Sequence, residues 1–396
     1  MERIEALVNP FLLSWARKTA GLGVEQAAKK AQVKAEKLLS WEAGDARPTL
    51  IQARKLGRVY KRPISVFYLP EPPQDFQPLR DFRRLPNAPA LPESPQLLFE
   101  MRRAQARRDL AVELLEALEI PAPQLRLAID SRADPEQMGE VIREGLGVSV
   151  EEQFSWRPGY ETFNRWRKLL ENNGVLVFQC TDVGVSEARG FSVYAEVLPA
   201  VVVNTKDSVP GRIFSMFHEL THILLREGGI CQFHDAPSVG AQESGNEQFC
   251  NSVAGAALVP QSNLLAETLV RTKQPLADWP DDHVAYLAER YGVSRETLLR
   301  RLLICHRITS DFYQRKRQQY QQEFRQYQQE LRRKSKRSTG PPPYRLAVST
   351  AGHTFVTLVL DSYHQDRITA SDVADFLGVR LKHLTRIQSE VLAGAR

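Results

Sequence analysis

Apolar residues recur at helical spacing through most of the chain, which predicts a mainly α-helical protein. Residues 1–70 show this pattern in brief stretches and predict a unit of short helices. Longer helices are predicted at 92–120, 134–146, 161–172, 210–226, 243–258 and 310–337, with a helix pair at 281–305. Segments rich in β-branched and aromatic residues predict three strands, at 175–178, 190–194 and 200–204. The expected fold class is therefore mainly α with a small β-sheet (α+β).

Two proline-rich segments divide this pattern. Pro70-Glu71-Pro72-Pro73 and Gly340-Pro341-Pro342-Pro343 are typical of linkers. We therefore expect a helical unit at 1–70, a helical linker region at 71–158, a core containing the strands at 159–262, a helical extension at 263–338 and a small C-terminal module at 344–396.

Composition narrows the class of protein. The 396 residues carry a formal charge of +6, which permits nucleic-acid binding without requiring it. No stretch approaches the 18 or so consecutive apolar residues of a membrane span, so we expect no membrane partner. The four cysteines form no C-x-x-C pair, which argues against a disulfide framework and suits a reducing cytoplasm. We expect a cytoplasmic protein.

One helix carries a candidate metal motif, His218-Glu219-Leu220-Thr221-His222. Histidines four residues apart lie one turn apart on the same face of a helix, so both imidazoles can bind one ion. Zinc favours nitrogen ligands, and a catalytic zinc site keeps one position open for water. Glu219 falls beside the pair, where a carboxylate can act as the base.

The surroundings of this motif favour a metal over two core histidines. The flanking residues are apolar almost all round the helix, which predicts that the helix is buried: Ile213, Phe214, Met216, Phe217, Ile223, Leu224 and Leu225. Buried imidazoles and a buried carboxylate cost several kcal/mol unless they have partners. A bound Zn²⁺ supplies such a partner, so Zn²⁺ is the expected cofactor.

A catalytic site of this type needs a third protein ligand. The nearest well-placed acids are Glu243 and Glu247, on the next predicted helix. His234 and Asp235 on the intervening loop are alternatives, and spacing alone leaves the choice open.

The region around the motif resembles the ImmA/IrrE family of zincin-like metallopeptidases. The matching segments are Gly174-Val175-Leu176-Val177, Gly190-Phe191-Ser192, Pro199–Asn204, Arg212–Leu225 and the helix with Glu247-x-x-Cys250-Asn251. The resemblance implies zinc ligands at His218, His222 and Glu247, with Glu219 as the catalytic base. It also implies a regulatory peptidase that cuts a transcriptional repressor. Thr221 stands where the family usually has glycine.

The N-terminal helices resemble a second family, the Cro/lambda-repressor-type (XRE) helix-turn-helix proteins. Val24–Ala31, the turn Gln32-Val33 and Ala35–Glu42 carry this resemblance. It implies a five-helix DNA-binding domain whose second motif helix enters the major groove. By position, the residues near base edges are Lys34, Glu36, Lys37 and Ser40, while Gln26 hydrogen-bonds phosphate. Gln32 replaces the glycine often found in the turn, and a helical protein-interaction module is the alternative reading.

Two functions follow from these patterns. The first is a zinc-dependent regulatory endopeptidase that binds an operator or promoter and cleaves a protein partner such as a repressor. The second is a non-cleaving DNA-binding regulator or antitoxin whose zinc fold holds a partner such as a toxin. A homodimer is a further expectation. Strand 200–204 is either an edge that aligns an extended peptide by backbone pairing or an interior strand.

Overall fold

The computed structural model describes residues 5–73, 80–81, 94–226, 229–231, 245–335 and 341–394. The chain forms two compact units, Met1–Leu79 with Pro86–Arg103, and Arg80–Leu85 with Ala104–Arg396. Among the described residues, no helix combines the length and the apolar character needed to cross a lipid bilayer.

The first unit is built from short, well-capped helices. Residues 5–73 contain α1 (Pro10–Thr19), α2 (Val24–Ala31), α3 (Ala35–Ala43), α4 (Leu50–Tyr60) and a 3-10 helix (Ile64–Tyr68). Thr49 and Gln52 form a capping box at the start of α4, which fixes where that helix begins. A buried cluster that includes Trp41, Tyr60 and Phe67 holds the helices together.

An ion pair ties α1 to α3 in this unit. Arg17 on α1 donates to both carboxylate oxygens of Glu42 on α3, each at 2.8 Å. Its third donor reaches the carbonyl of Leu22 at 3.0 Å. A planar guanidinium that meets a carboxylate through two parallel bonds has a fixed orientation, so the pair sets how α3 lies against α1.

The second unit contains a five-stranded sheet in the order β1-β5-β3-β4-β2. The strands are β1 (Arg80–Asp81), β2 (Leu176–Cys180), β3 (Gly190–Val193), β4 (Ala200–Asn204) and β5 (Gly229–Cys231). The mainly α fold with a small sheet is thus confirmed, and β2, β3 and β4 lie where strands were predicted. Because β4 pairs with β2 on one side and β3 on the other, it is an interior strand, and its interpretation as a peptide-aligning edge is wrong.

Helices account for most of the second unit. The boundary between the units falls within α5 (Pro95–Ala117). The others are α6 (Pro135–Leu146), α7 (Val150–Ser155), α8 (Tyr160–Asn172), α9 (Val209–Leu224), α10 (Gly245–Leu258), α11 (Gln261–Ala266), α12 (Thr268–Arg271), α13 (Asp281–Tyr291), α14 (Arg295–Ile304), α15 (Ser310–Ser335), α16 (Pro343–Ala351), α17 (His353–His364), α18 (Ala370–Leu377) and α19 (Leu384–Gly394). Aromatic rings connect α8 to α9, because Trp166 meets Phe217 edge-to-face at 4.8 Å between ring centroids.

The C-terminal helices pack on the edge strand β2 through α16. Gln179 on β2 donates to the carbonyl of Ser349 at 2.8 Å, and Arg167 on α8 donates to the same oxygen at 2.9 Å. Helix α5 also contacts β2, because the buried guanidinium of Arg107 on α5 lies over the ring of Phe178 on β2, 5.6 Å from the ring centroid. An edge strand with a helix against it is less open to pairing with another chain.

Helices α6 and α10 approach closely because both present small residues. A Cβ built on Gly139 of α6 would lie 2.7 Å from the Cβ of Ala256 and 2.7 Å from the backbone nitrogen of Ala257. Contacts this short are not tolerated, and one of the partners is backbone, so the helices would have to separate. Gly139 thus sets the distance between α6 and α10.

We predict that Gly139→Ala lowers the free energy of unfolding by about 1–3 kcal/mol, the usual cost of overpacking a well-packed interior. The intrinsic helix propensity of alanine favours the folded state by about 1 kcal/mol and acts in the opposite direction, so the measured loss is the net effect. Thermal or denaturant unfolding measures it. Gly184→Ala is the matched control, since its nearest neighbour is a flexible side chain at 3.6 Å. Equal stability of the two variants would contradict the close packing of α6 and α10.

Candidate metal centre

Hydrogen bonds fix the first turn of helix α9 relative to the sheet. The Ser208 hydroxyl accepts from the backbone nitrogen of Gly211 at 3.1 Å and so caps the first turn. Arg212 donates to the carbonyls of Asp207 and Thr205, which follow β4 directly. These bonds fix α9 relative to the end of β4. The helix is buried from Arg212 through Leu224 except at Phe214, in agreement with the apolar pattern of its sequence.

Helix α10 presents one polar face to α9. Glu247, Cys250 and Asn251 lie three and four residues apart, so they share one side of the helix. Cys250 and Asn251 are buried, and the Glu247 side chain is only 12% exposed. The polar side chains of α10 therefore meet the histidines of α9 in the interior of the unit.

Three buried side chains hold the carboxyl end of α10. Arg143 donates to the carbonyl of Ala257 at 2.8 Å, Gln153 to that of Leu258 at 3.0 Å and Arg301 to that of Val259 at 2.9 Å. The last carbonyls of a helix have no partners within the helix and carry partial negative charge, so donors and cations are favourable there. Arg301 also forms a bidentate pair with Glu136 of α6, at 2.6 and 2.7 Å. These contacts position the helix that carries Glu247.

The side chains of His218, His222 and Glu247 converge. The two Nε2 atoms lie 3.1 Å apart. The Glu247 carboxylate oxygens lie 3.3 Å from Nε2 of His218 and 3.2 Å from Nε2 of His222. Among the described residues these three make up a group of side chains able to hold one metal ion.

The donor spacing fits zinc. With zinc–ligand bonds of about 2.0–2.1 Å, a tetrahedral arrangement places neighbouring donors roughly 3.3 Å apart. The observed separations of 3.1–3.3 Å agree with this value. Two neutral imidazoles and one carboxylate are also ligand types that zinc accepts in catalytic sites. The residues present therefore fit the ion.

The pKa shifts of these three side chains also favour a bound cation. Burial raises the pKa of Glu247, but hydrogen bonds from both histidines outweigh it and hold that pKa well below its usual range. Burial is also the main reason that the pKa of His218 is lowered. For His222, contacts with Cys250 and Glu247 outweigh burial and raise the pKa to about 11. Positive charge next to the Glu247 carboxylate is therefore favourable.

Cys250 lies next to His222, one of the candidate ligands. Its Sγ lies 3.7 Å from Nδ1 of His222, on the side of the ring away from the convergent Nε2 atoms. Partners of this kind orient a metal-binding imidazole. The sequence contained this residue in the matching segment but indicated no role for it. The same holds for Arg143, Gln153 and Arg301, because no local pattern marks a side chain that caps a distant helix.

Glu219 is fully buried and lies against β3. A Cβ built on Gly190 of β3 would come within 3.3 Å of the Glu219 Oε1 atom and 3.0 Å of the Val202 carbonyl. Glycine at this position leaves the room that the carboxylate occupies. Any other residue at 190 would press on Glu219, which was not foreseen from sequence.

Not every predicted candidate is among the described residues. Glu243, His234 and Asp235, the alternatives for the third ligand, lie outside them. The predicted DNA-contacting residues are in the first unit. Gln26 on α2 and Lys34, Glu36 and Lys37 at the start of α3 are exposed, and Ser40 is half-buried.

The turn between α2 and α3 is formed without glycine. Gln32 adopts a left-handed backbone conformation, with φ of 57°. Its side chain accepts from Nζ of Lys55 on α4 at 2.6 Å. This contact offsets part of the strain of a non-glycine residue in that conformation.

The comparison with protein families agrees with this geometry. Residues 171–303 match the family model of the IrrE N-terminal-like domain, peptidase family M78. The candidate metal ligands and Glu219 all lie within this M78-like region, whose family model is that of a metallopeptidase-type domain. The match does not extend to the N-terminal helices. No curated protein gives a significant match to the chain.

We predict that the purified protein binds one zinc ion per chain through the M78-like region. His222→Ala and Glu247→Ala should each lose the ion or weaken its binding by at least about tenfold, because each removes a ligand. Glu243→Ala and Glu219→Gln should keep it. Metal content by elemental analysis, with competition against a chelator, measures this. Zinc retained in Glu247→Ala but lost in Glu243→Ala would overturn the assignment of the third ligand.

Proposed function

We propose that the protein is a zinc-dependent regulatory endopeptidase that binds DNA through its N-terminal helices and cleaves a protein partner such as a transcriptional repressor. The observation that carries the peptidase part is the convergence of His218, His222 and Glu247 with Glu219 one residue away on the same helix. A site that only held a structural ion would not need this second carboxylate.

The chain's own residues would perform the proton transfers. His218, His222 and Glu247 would hold a zinc ion, and the chemistry it would supply is that of a Lewis acid, which makes water easier to deprotonate and a carbonyl more electrophilic. Glu219, as general base, takes a proton from the attacking water at a carboxylate oxygen. As general acid it then delivers this proton to the nitrogen of the leaving amine. Its full burial removes competing water, so that each charge interaction at the site is stronger than in solution.

Gly190 has a positioning role in this proposal. A general base acts only within hydrogen-bond reach of the proton it takes. The absent side chain at 190 lets the Glu219 carboxylate lie against β3 instead of being pushed away from it. The strand thus sets where the base is held.

DNA binding is the proposed role of the first unit. Lys34, at the N-cap of α3, and Lys37, in its first turn, both face solvent. Lys37 extends over the Trp41 ring at 5.7 Å, which orders the side chain without neutralising it. Exposed Gln26 at the start of α2 is available to a phosphate. These contacts would direct the peptidase to the promoter at which its partner acts.

The burial of the site favours a second candidate function. His218, Glu219 and His222 are each 0% exposed in the structure. A buried centre of this kind suits a regulator or antitoxin whose zinc fold holds a protein partner, such as a toxin, without cutting it. The two candidate functions differ in whether the protein partner is cleaved.

Cleavage should depend on Glu219 even when the zinc ion is retained. We predict that zinc-loaded wild type cuts a repressor-type protein encoded beside its gene. Glu219→Gln should cut it at least about 100-fold more slowly, the usual contribution of a general base, while keeping its zinc. Gel electrophoresis and mass spectrometry of the products measure this.

Glu161→Gln, which changes an exposed acid on α8, is the matched control and should cut at the wild-type rate. Stable partner binding with no cleavage by zinc-loaded wild type would favour the regulator or antitoxin instead.

DNA binding should depend on the exposed face of α3. We predict that Lys37→Ala and Lys34→Ala each weaken promoter binding by about tenfold, within the range for loss of a single base or phosphate contact. Loss of a phosphate contact should also reduce the salt dependence of the binding constant. Fluorescence anisotropy across a salt series measures both. Lys18→Ala, an exposed lysine on α1, is the control. Equal affinity of all four proteins would rule out α3 as the reading helix.

A further inference from the structure

The second unit contains a cavity of about 500 Å³ away from the metal ligands. Most of its lining comes from the start of α9, the start of α14 and the middle of α15. Its lining includes Arg189, Asp207, Arg295, Glu296, Arg317 and Glu323. His218 lies seven residues beyond Gly211 of the lining, roughly 10 Å along the axis of α9. The cavity and the metal centre are therefore separate sites on one helix.

The acids of the cavity already have cationic partners. Asp207 pairs with Arg189 at 3.3 Å. Glu323 pairs with Arg295 at 2.6 Å. The third acid, Glu296, accepts from the Tyr313 hydroxyl at 2.7 Å and pairs with Arg300, which is outside the lining, at 3.4 Å. Each of these three carboxylates therefore already has a cationic partner.

The lining also contains a further cation, Arg317. It is 4% exposed and lines the cavity from α15. Its Nε and Nη2 atoms are buried and have no hydrogen-bond acceptor among the residues that the structure describes. These two atoms form one edge of the guanidinium, the edge that meets a carboxylate or phosphate through two parallel bonds. A buried guanidinium edge without an acceptor is costly, and an anion that reaches this edge from the cavity would offset that cost.

The start of α14 adds to the attraction for an anion. The Ser294 hydroxyl accepts from the backbone nitrogen of Thr297 at 3.0 Å, and the first turn, with Arg295 and Glu296, lines the cavity. The early backbone N–H groups of a helix have no partners within the helix and carry partial positive charge. The start of α9 contributes less, because Pro210 has no N–H and Ser208 already caps Gly211.

Aromatic rings supply an apolar surface in the same cavity. Tyr320 and Phe324 of α15 line it. The Arg295 guanidinium lies over the Tyr320 ring at 4.1 Å, and the Tyr320 hydroxyl donates to Asp281 at 2.8 Å, so this ring is held in place. A volume of this size is in the range of sites for small organic ligands.

We propose that this cavity binds a small organic anion, with a carboxylate or phosphate group on Arg317 and the first turn of α14 and a flat apolar body against Tyr320 and Phe324. Since Gly211 and Ser208 of α9 form another wall, such a ligand would contact the helix that carries His218 and His222. The site is independent of whether the metal centre cleaves a protein.

Calorimetric titration of the full zinc-loaded chain tests the proposal with three probes: benzoate, phenyl phosphate and inorganic phosphate. We expect saturable binding of at least one aromatic probe, at least tenfold tighter than inorganic phosphate. Whether benzoate or phenyl phosphate binds more tightly identifies the anionic group. Arg317→Gln should weaken the tighter probe by at least tenfold, whereas Arg315→Gln, which changes an exposed arginine on the same helix, should not.

Hydrogen exchange on the wild type supplies a readout that does not depend on a variant folding. The tighter probe should slow amide exchange in residues 294–297 and 317–324 more than elsewhere. No aromatic probe binding at millimolar concentration, protection confined to residues around His218 and Glu247, or equal affinity of Arg317→Gln and wild type would each overturn the proposal. Inorganic phosphate binding as tightly as phenyl phosphate would overturn the role of the aromatic surface.

Discussion

The second unit depends on the approach of α9 to α10. Their contact brings two imidazoles and a carboxylate to 3.1–3.3 Å from one another in the protein interior. Uncompensated, these polar groups would oppose folding. A shared cation would make them a ligand set, and their donor spacing suits tetrahedral zinc. The surrounding structure can be understood as the support that holds this spacing.

That support is made of close packing and buried hydrogen bonds. Gly139 lets α6 lie directly on α10, and Arg143, Gln153 and Arg301 hold the carbonyls at the end of α10. On the other helix, Ser208 and Arg212 fix the first turn against the end of β4. Buried ionic groups of this kind contribute little net stability. Their directed bonds instead determine where each helix end lies, and so where the ligands lie.

The sequence predicted the parts of the site that repeat at short range. Helical spacing placed His218 and His222 on one face and identified α9 as a buried helix. Runs of β-branched and aromatic residues located β2, β3 and β4. The choice of Glu247 rested on resemblance, because spacing alone did not separate it from Glu243. Long-range contacts left no local signal: neither Gly190 against Glu219 nor Arg301 against Val259 is visible in any periodic pattern. The same is true of Arg107 on α5, which is buried against aromatic rings that come from distant segments.

The most direct test of the metal centre is X-ray absorption spectroscopy of the zinc-loaded full chain. Zinc held by His218, His222 and Glu247 should show only nitrogen and oxygen neighbours, at about 2.0–2.2 Å, with the outer-shell scattering of two imidazole rings. Cys250 lies behind His222, so it should contribute no sulfur to the first coordination shell. A sulfur neighbour at about 2.3 Å, or the scattering of fewer than two imidazoles, would contradict the ligand set on which this account of the protein depends.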